Sequence, residues 1–175
     1  QGLKMPPFRE LMYAQLFRRP VSAVERLAFS CRNLFFPQRP LLKDPIAFFS
    51  AEWIARTYGA NVVVMIRHPA AFVNSVVRLN FRLDFRNLIE QPRLIAELLP
   101  EFEADIHECA RNEPSPIDGA AFEWVIIHHV IQKYQSRHPD WAFLRHEDIS
   151  RDPERGFREL YGAFGLEFTS RIADY

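Results

Sequence analysis

The chain has 175 residues and balances 22 basic against 22 acidic side chains, so no overall field draws it to nucleic acid or an anionic membrane, and any anion site must be local. Hydrophobic residues make up 48% and charged residues 25%, which excludes a disordered chain and fits one globular domain with a real core. No apolar run approaches the roughly 18 residues a membrane helix needs, and QGLKMPPFRE lacks a signal-peptide pattern.

In chain order, Pro7 to Phe17 spaces Phe8, Leu11, Met12 and Leu16 as a helix, and Pro20 opens a second one that Pro37 ends. Pro40 to Lys43 is a short apolar run flanked by prolines, expected as a buried strand. Pro45 starts a helix carrying Phe48, Phe49, Trp53, Ile54 and Tyr58 to a stop at Gly59. Val62 to Ile66 is uninterrupted and rich in β-branched residues, and it predicts a central parallel strand covered on both faces. Arg67-His68-Pro69 ends that strand, and Pro69 opens a helix to about Asn80.

A helical region is expected from Pro92 to Asn112, broken near Pro100, then a loop at Glu113-Pro-Ser-Pro. Asp118 is the expected cap of a long helix whose apolar face runs through Phe122, Trp124, Val125, Ile127, Val130, Ile131 and Tyr134 to His138-Pro139. Trp141 to Leu144 reads as another short strand, and Asp152-Pro153 begins a last helix that ends at Gly165. Strands separated by helices predict an α/β domain with a parallel sheet.

In such a sheet, ligands bind beyond the C-terminal ends of the strands, and Arg67 occupies such an end. Its guanidinium can hold a phosphate through two parallel hydrogen bonds. Ser75, eight positions on, can donate a hydroxyl to the same anion if its helix face lines the cleft. Taken as a bare string, the same residues favour an Arg satisfying a strand end and a Ser facing a helical neighbour; directly after a buried strand and at a helix start, the two readings balance.

VVVMIRHPAAFVNS resembles the 3′-phosphate-binding segment of sulfotransferases, in which a strand is followed by Arg, x, Pro and a Ser eight residues after the Arg. FLRHEDISRDPERGFRELYGAFGL, from Phe143 to Leu166, is similar to that family's later strand, Asp-Pro and helix segment. PLLKDPIAFFSAEWIA, from Pro40 to Ala55, is similar to the Lys-containing strand end that precedes the 3′-phosphate segment. The three matches occur in family order and span most of Pro40 to Leu166.

The resemblance implies a three-layer P-loop NTPase-like domain over residues 1–175, with its core at 40–166 and a helical region at 81–138 inserted before the last strand. It also implies sulfuryl transfer from 3′-phosphoadenosine 5′-phosphosulfate (PAPS), without a metal, to a hydroxyl or amine of a small-molecule, lipid or carbohydrate acceptor. Arg67 and Ser75 are then the 3′-phosphate ligands. His146 stands where many members place a Tyr against adenine, and Lys43 is the residue implied to stabilise the transferring group or the departing phosphate. Lys43-Asp44-Pro45 replaces the Lys-Thr-His of the cytosolic small-molecule branch, so no catalytic His carries over. Asp44 and Glu52 lie near Lys43 in sequence without being marked as a general base. The family's Gly-rich phosphosulfate loop belongs upstream of Lys43, where Gly2 is the one glycine, so the domain is expected to be incomplete at its N-terminus and this chain alone inactive. The alternatives are another nucleotide-binding enzyme, such as a small kinase, and a non-catalytic binder that keeps the fold.

Other features read as structural. His128-His129 point about 100° apart on a helix and do not form one metal site. Glu147 and Asp148 are expected to hold backbone or a neighbouring Arg, Trp124 and Tyr134 to be core, and Arg78, Arg82 and Arg86 to form a solvated face. Cys31 and Cys109 match no metal or redox spacing and read as idle thiols in a reducing, cytoplasmic setting, while the Gln start leaves room for a removed targeting segment. The preference for Arg over Lys reads as a bacterial coding bias.

Overall fold

The computed structural model describes residues 41–43 and 46–173, and the chain divides into two compact units, 1–43 and 44–175. The helices expected at Pro7 to Phe17 and from Pro20 lie outside the described residues. In the first unit, Leu41 to Lys43 have no regular structure and are exposed, Leu41 by 93%, which corrects the buried strand expected there. An apolar run becomes a strand only where a neighbour satisfies its backbone, and no strand pairs with these residues among those described.

In the second unit a 3-10 turn, Ile46–Ser50, leads into α1, Ala51–Tyr58. Gly59 ends α1 at φ 60°, a left-handed conformation a side chain would oppose, and its N–H reaches Ala55 O. The chain then forms β1 (Val63–Ile66) and α2 (Pro69–Arg78). Three short helices follow, α3 (Arg86–Ile89), α4 (Pro92–Leu98) and α5 (Glu103–Arg111), with a 3-10 turn at Pro100–Phe102 where the break was expected. The long α6 (Pro116–Arg137) returns to β2 (Ala142–Arg145), and α7 (His146–Arg151), α8 (Pro153–Ala163) and α9 (Ser170–Ala173) close the described chain. Gly156 lets α8 pass against Ile149 of α7, whose side chain a Cβ at that position would strike.

β1 and β2 pair in parallel with Val63 opposite Ala142 and Ile66 opposite Arg145, so the described unit is α/β, mostly helical around a small parallel sheet. The sheet departs from expectation in its burial. Val64 is buried, whereas Val63 and Met65 are 41% and 47% exposed, so β1 is covered on one face among the described residues rather than on both. No described helix is long and apolar enough to cross a membrane.

The core lies between α6 and the short helices. Ile126, Val130, Ile131 and Tyr134 of α6 bury against Phe85, Leu88, Ile95, Leu98, Leu99 and Ile106, while Val64 and Trp141 bring the sheet into the same cluster. Tyr134 is fully buried, and its hydroxyl donates to Phe48 O at 3.3 Å, which ties α6 to the turn before α1. Two details of α6 correct the sequence reading. Ser115 is the N-cap, accepting from Asp118 N at 3.2 Å and donating to Asp118 Oδ2 at 2.6 Å, because Pro116 fixes the first helical position and leaves Asp118 on the first turn. Val125 is 41% exposed, whereas Glu123 is 93% buried on the face expected to be apolar.

Candidate functional site

The parallel register decides which residues meet. Ile66 and Arg145 are partners, so the chain leaves the sheet on adjacent strands at Arg67 and at His146, and the two motifs 79 residues apart become neighbours. Their contact is direct: the backbone N–H of His68 donates to Glu147 Oε1 at 2.8 Å. That hydrogen bond is the main reason the Glu147 carboxyl is held below its ordinary range. Glu147 thus holds backbone, as its sequence position suggested, and Asp148 lies 3.6 Å from Arg151 and 3.9 Å from Arg145. The short helix α7 that presents Glu147 was not anticipated.

Arg67 is half-buried. Its carbonyl accepts the indole N–H of Trp124 at 2.9 Å, which pins the strand end to α6. Its side-chain Nε is buried with no hydrogen-bond partner, and no carboxylate pairs with the guanidinium among the described residues. A buried cationic donor without a partner is costly, and a phosphate or sulfate oxygen is the chemical complement of that atom.

The N-terminus of α2 is only partly available to such an anion. His68 caps it, with Nδ1 accepting from Ala70 N at 3.3 Å, and Glu147 occupies the N–H of His68 itself. The anion-binding capacity of this corner therefore rests on the Arg67 side chain more than on helix-start amides. Ser75 sits on the half-buried side of α2, six residues beyond Pro69 and about 9 Å along the axis, and its hydroxyl has no partner among the described residues.

His146 is exposed at the start of α7. Its Nδ1 lies 3.3 Å from Ser150 Oγ, which donates to His146 O at 2.8 Å, and its ring meets no other aromatic ring among the described residues. Lys43 is exposed and belongs to the unit 1–43. The structure therefore joins the segments of Arg67 and His146 at one sheet edge and sets Ser75 on the helix rising from it.

Trp124 is the residue of this corner that the sequence reading assigned only to the core. Its ring stacks on His128, centroids 3.7 Å apart, and His128 Nδ1 is 2.8 Å from Trp124 O. Burial pushes the His128 pKa down, and a carbonyl facing Nδ1 places the proton there, leaving buried Nε2 as an acceptor without a partner. His129 turns the other way, its Nε2 3.2 Å from Glu101 Oε2 without hydrogen-bond alignment. No group of three metal-ligating side chains occurs among the described residues.

Two clefts flank this corner. One, of about 550 Å³, runs along β2 and α8, and another, of about 320 Å³, opens beside Glu123. Neither is lined by Arg67, Ser75 or His146. Comparison with family models, with curated proteins and with solved structures returned no match to this chain.

Proposed function

We propose that the Arg67 corner binds a phosphate of a nucleotide, and that the chain is the nucleotide-binding part of a PAPS-dependent sulfotransferase with a P-loop-like three-layer fold. The observation that carries this reading is the buried, unpartnered Nε of Arg67 at the end of a parallel strand. On this reading the guanidinium and the Ser75 hydroxyl hold the 3′-phosphate, and the free ring face of His146 flanks the adenine. Trp124 and Glu147 position the Arg67 backbone without touching the ligand. Sulfuryl transfer to a hydroxyl or amine gains mainly from alignment and from charge stabilisation on the moving oxygens, and a fixed guanidinium supplies the first by anchoring the nucleotide. Lys43 enters only through the sequence resemblance.

Competition binding tests the proposal. The chain should bind 3′-phosphoadenosine 5′-phosphate in preference to ATP, and Arg67→Ala should weaken it by about 10- to 100-fold, the range for a charged hydrogen-bonding group. Preference for ATP would point to a kinase-like enzyme instead, and unchanged binding by Arg67→Ala would refute the site.

A further inference from the structure

A second feature, at Glu123 one residue before Trp124 on α6, does not depend on the anion reading. Glu123 lines the cleft of about 320 Å³, a volume at the lower end of small-ligand pockets, together with Val76 of α2, Phe85, and residues of the loop before α6. It is 93% buried, yet its carboxyl makes no hydrogen bond or ion pair among the described residues. The three guanidiniums among the described residues that line the cleft are each matched. Arg82 bonds Glu113 at 2.7 Å, Arg86 bonds Asp84 at 2.9 Å, and Arg111 bonds Glu108 at 2.8 Å. Cys109, also at the cleft, is kept as a thiol because burial pushes its pKa up.

We propose that this cleft binds a small primary amine in its ammonium form, with Glu123 as the counter-ion. A lone desolvated carboxylate is relieved most by an incoming positive charge. A neutral hydroxyl would leave the charge unanswered, and an anion would be repelled. A divalent metal needs several oxygen ligands, whereas the other two carboxylates of the cleft, Asp84 and Glu113, are paired with Arg86 and Arg82, and no group of three metal-ligating side chains occurs among the described residues. Burial alone raises the Glu123 pKa to about 7, and none of the rim guanidiniums lowers it, so the position is free to respond to a ligand cation.

The test uses the full chain labelled with 13C-glutamate, following the Glu123 carboxyl signal by NMR while n-butylamine hydrochloride is added, with n-butanol as the neutral isostere. The apparent pKa of Glu123 should fall by a unit or more with the amine and stay in place with the alcohol. Affinity should rise about tenfold per pH unit up to pH 7 and level off above it, because only the carboxylate binds. Glu123→Gln should bind at least tenfold more weakly. No movement of the wild-type signal at up to about 0.1 M amine, or equal binding by Glu123→Gln, overturns the proposal. The wild-type titration decides the matter even if the variant folds poorly. Retention of 3′-phosphoadenosine 5′-phosphate binding alongside either result separates this cleft from the Arg67 corner.

Discussion

The indole N–H of Trp124 donates to the carbonyl of Arg67 at 2.9 Å, across 57 positions of chain. Through this bond the middle of α6 fixes the strand end from which the Arg67 side chain departs. The stack of Trp124 on His128 holds the indole in turn.

Trp124→Phe keeps an aromatic ring over His128 but removes the donor. We expect a loss of about 1 kcal/mol in urea unfolding, the usual net value of one hydrogen bond, and a several-fold loss in nucleotide affinity. A variant that loses stability but keeps full affinity would show that the bond supports the fold without positioning Arg67.

Glu123 makes stability depend on pH. Its folded pKa, about 7, lies above the ordinary 4.5, so the folded state holds a proton that the unfolded state has released between those values. The stabilisation is complete below pH 4.5 and is lost as pH rises through 7. A span from 4.5 to about 7, at ~1.4 kcal/mol per pH unit, amounts to about 3 kcal/mol. His128, whose pKa is lowered by burial, acts in the opposite sense, so the informative quantity is wild type minus Glu123→Gln. Urea midpoints from pH 4.5 to 8 should show the variant gaining on the wild type by about that amount. A constant difference across the range would mean that Glu123 ionises as in water.

The start of α6 offers a comparison of two neighbours. Ser115→Ala should cost about 1 kcal/mol, as expected for an N-cap, because the hydroxyl serves the Asp118 N–H. Asp118→Asn keeps a polar partner for that hydroxyl and should cost less. The reverse ranking by thermal or urea unfolding would restore Asp118 as the cap.

These corrections show how far the sequence could be read. Helix limits at Gly59, Pro69, Pro100 and Pro153 were legible because each stop or start is a local steric event. The parallel strands were legible from Val62 to Ile66 and Trp141 to Leu144, whose apolar, β-branched or aromatic composition is also local. Apart from the cap of α6, which is Ser115 rather than Asp118, what failed was non-local. Leu41 and Leu42 carry a strand-like pattern but no described partner, and Val63 and Met65 look like core until their exposed face is seen. The meeting of Arg67 with the His146 segment depends on a register that no single segment encodes. Glu123 did leave a signal, a carboxylate three residues from both Ala120 and Ile126 on the buried stripe of α6, and periodicity marks the position without revealing the cleft beside it. Trp124 left none beyond an indole in need of an acceptor.

The most direct measurement compares two ligands that differ by one phosphate, 3′-phosphoadenosine 5′-phosphate and adenosine 5′-monophosphate, by calorimetry on wild type and Arg67→Ala. The 3′-phosphate should strengthen wild-type binding by about 10- to 100-fold and strengthen Arg67→Ala binding by much less, so that the two losses overlap rather than add. Equal binding of both ligands to the wild type, or the same 3′-phosphate gain with and without Arg67, would contradict a phosphate clamp at this strand end.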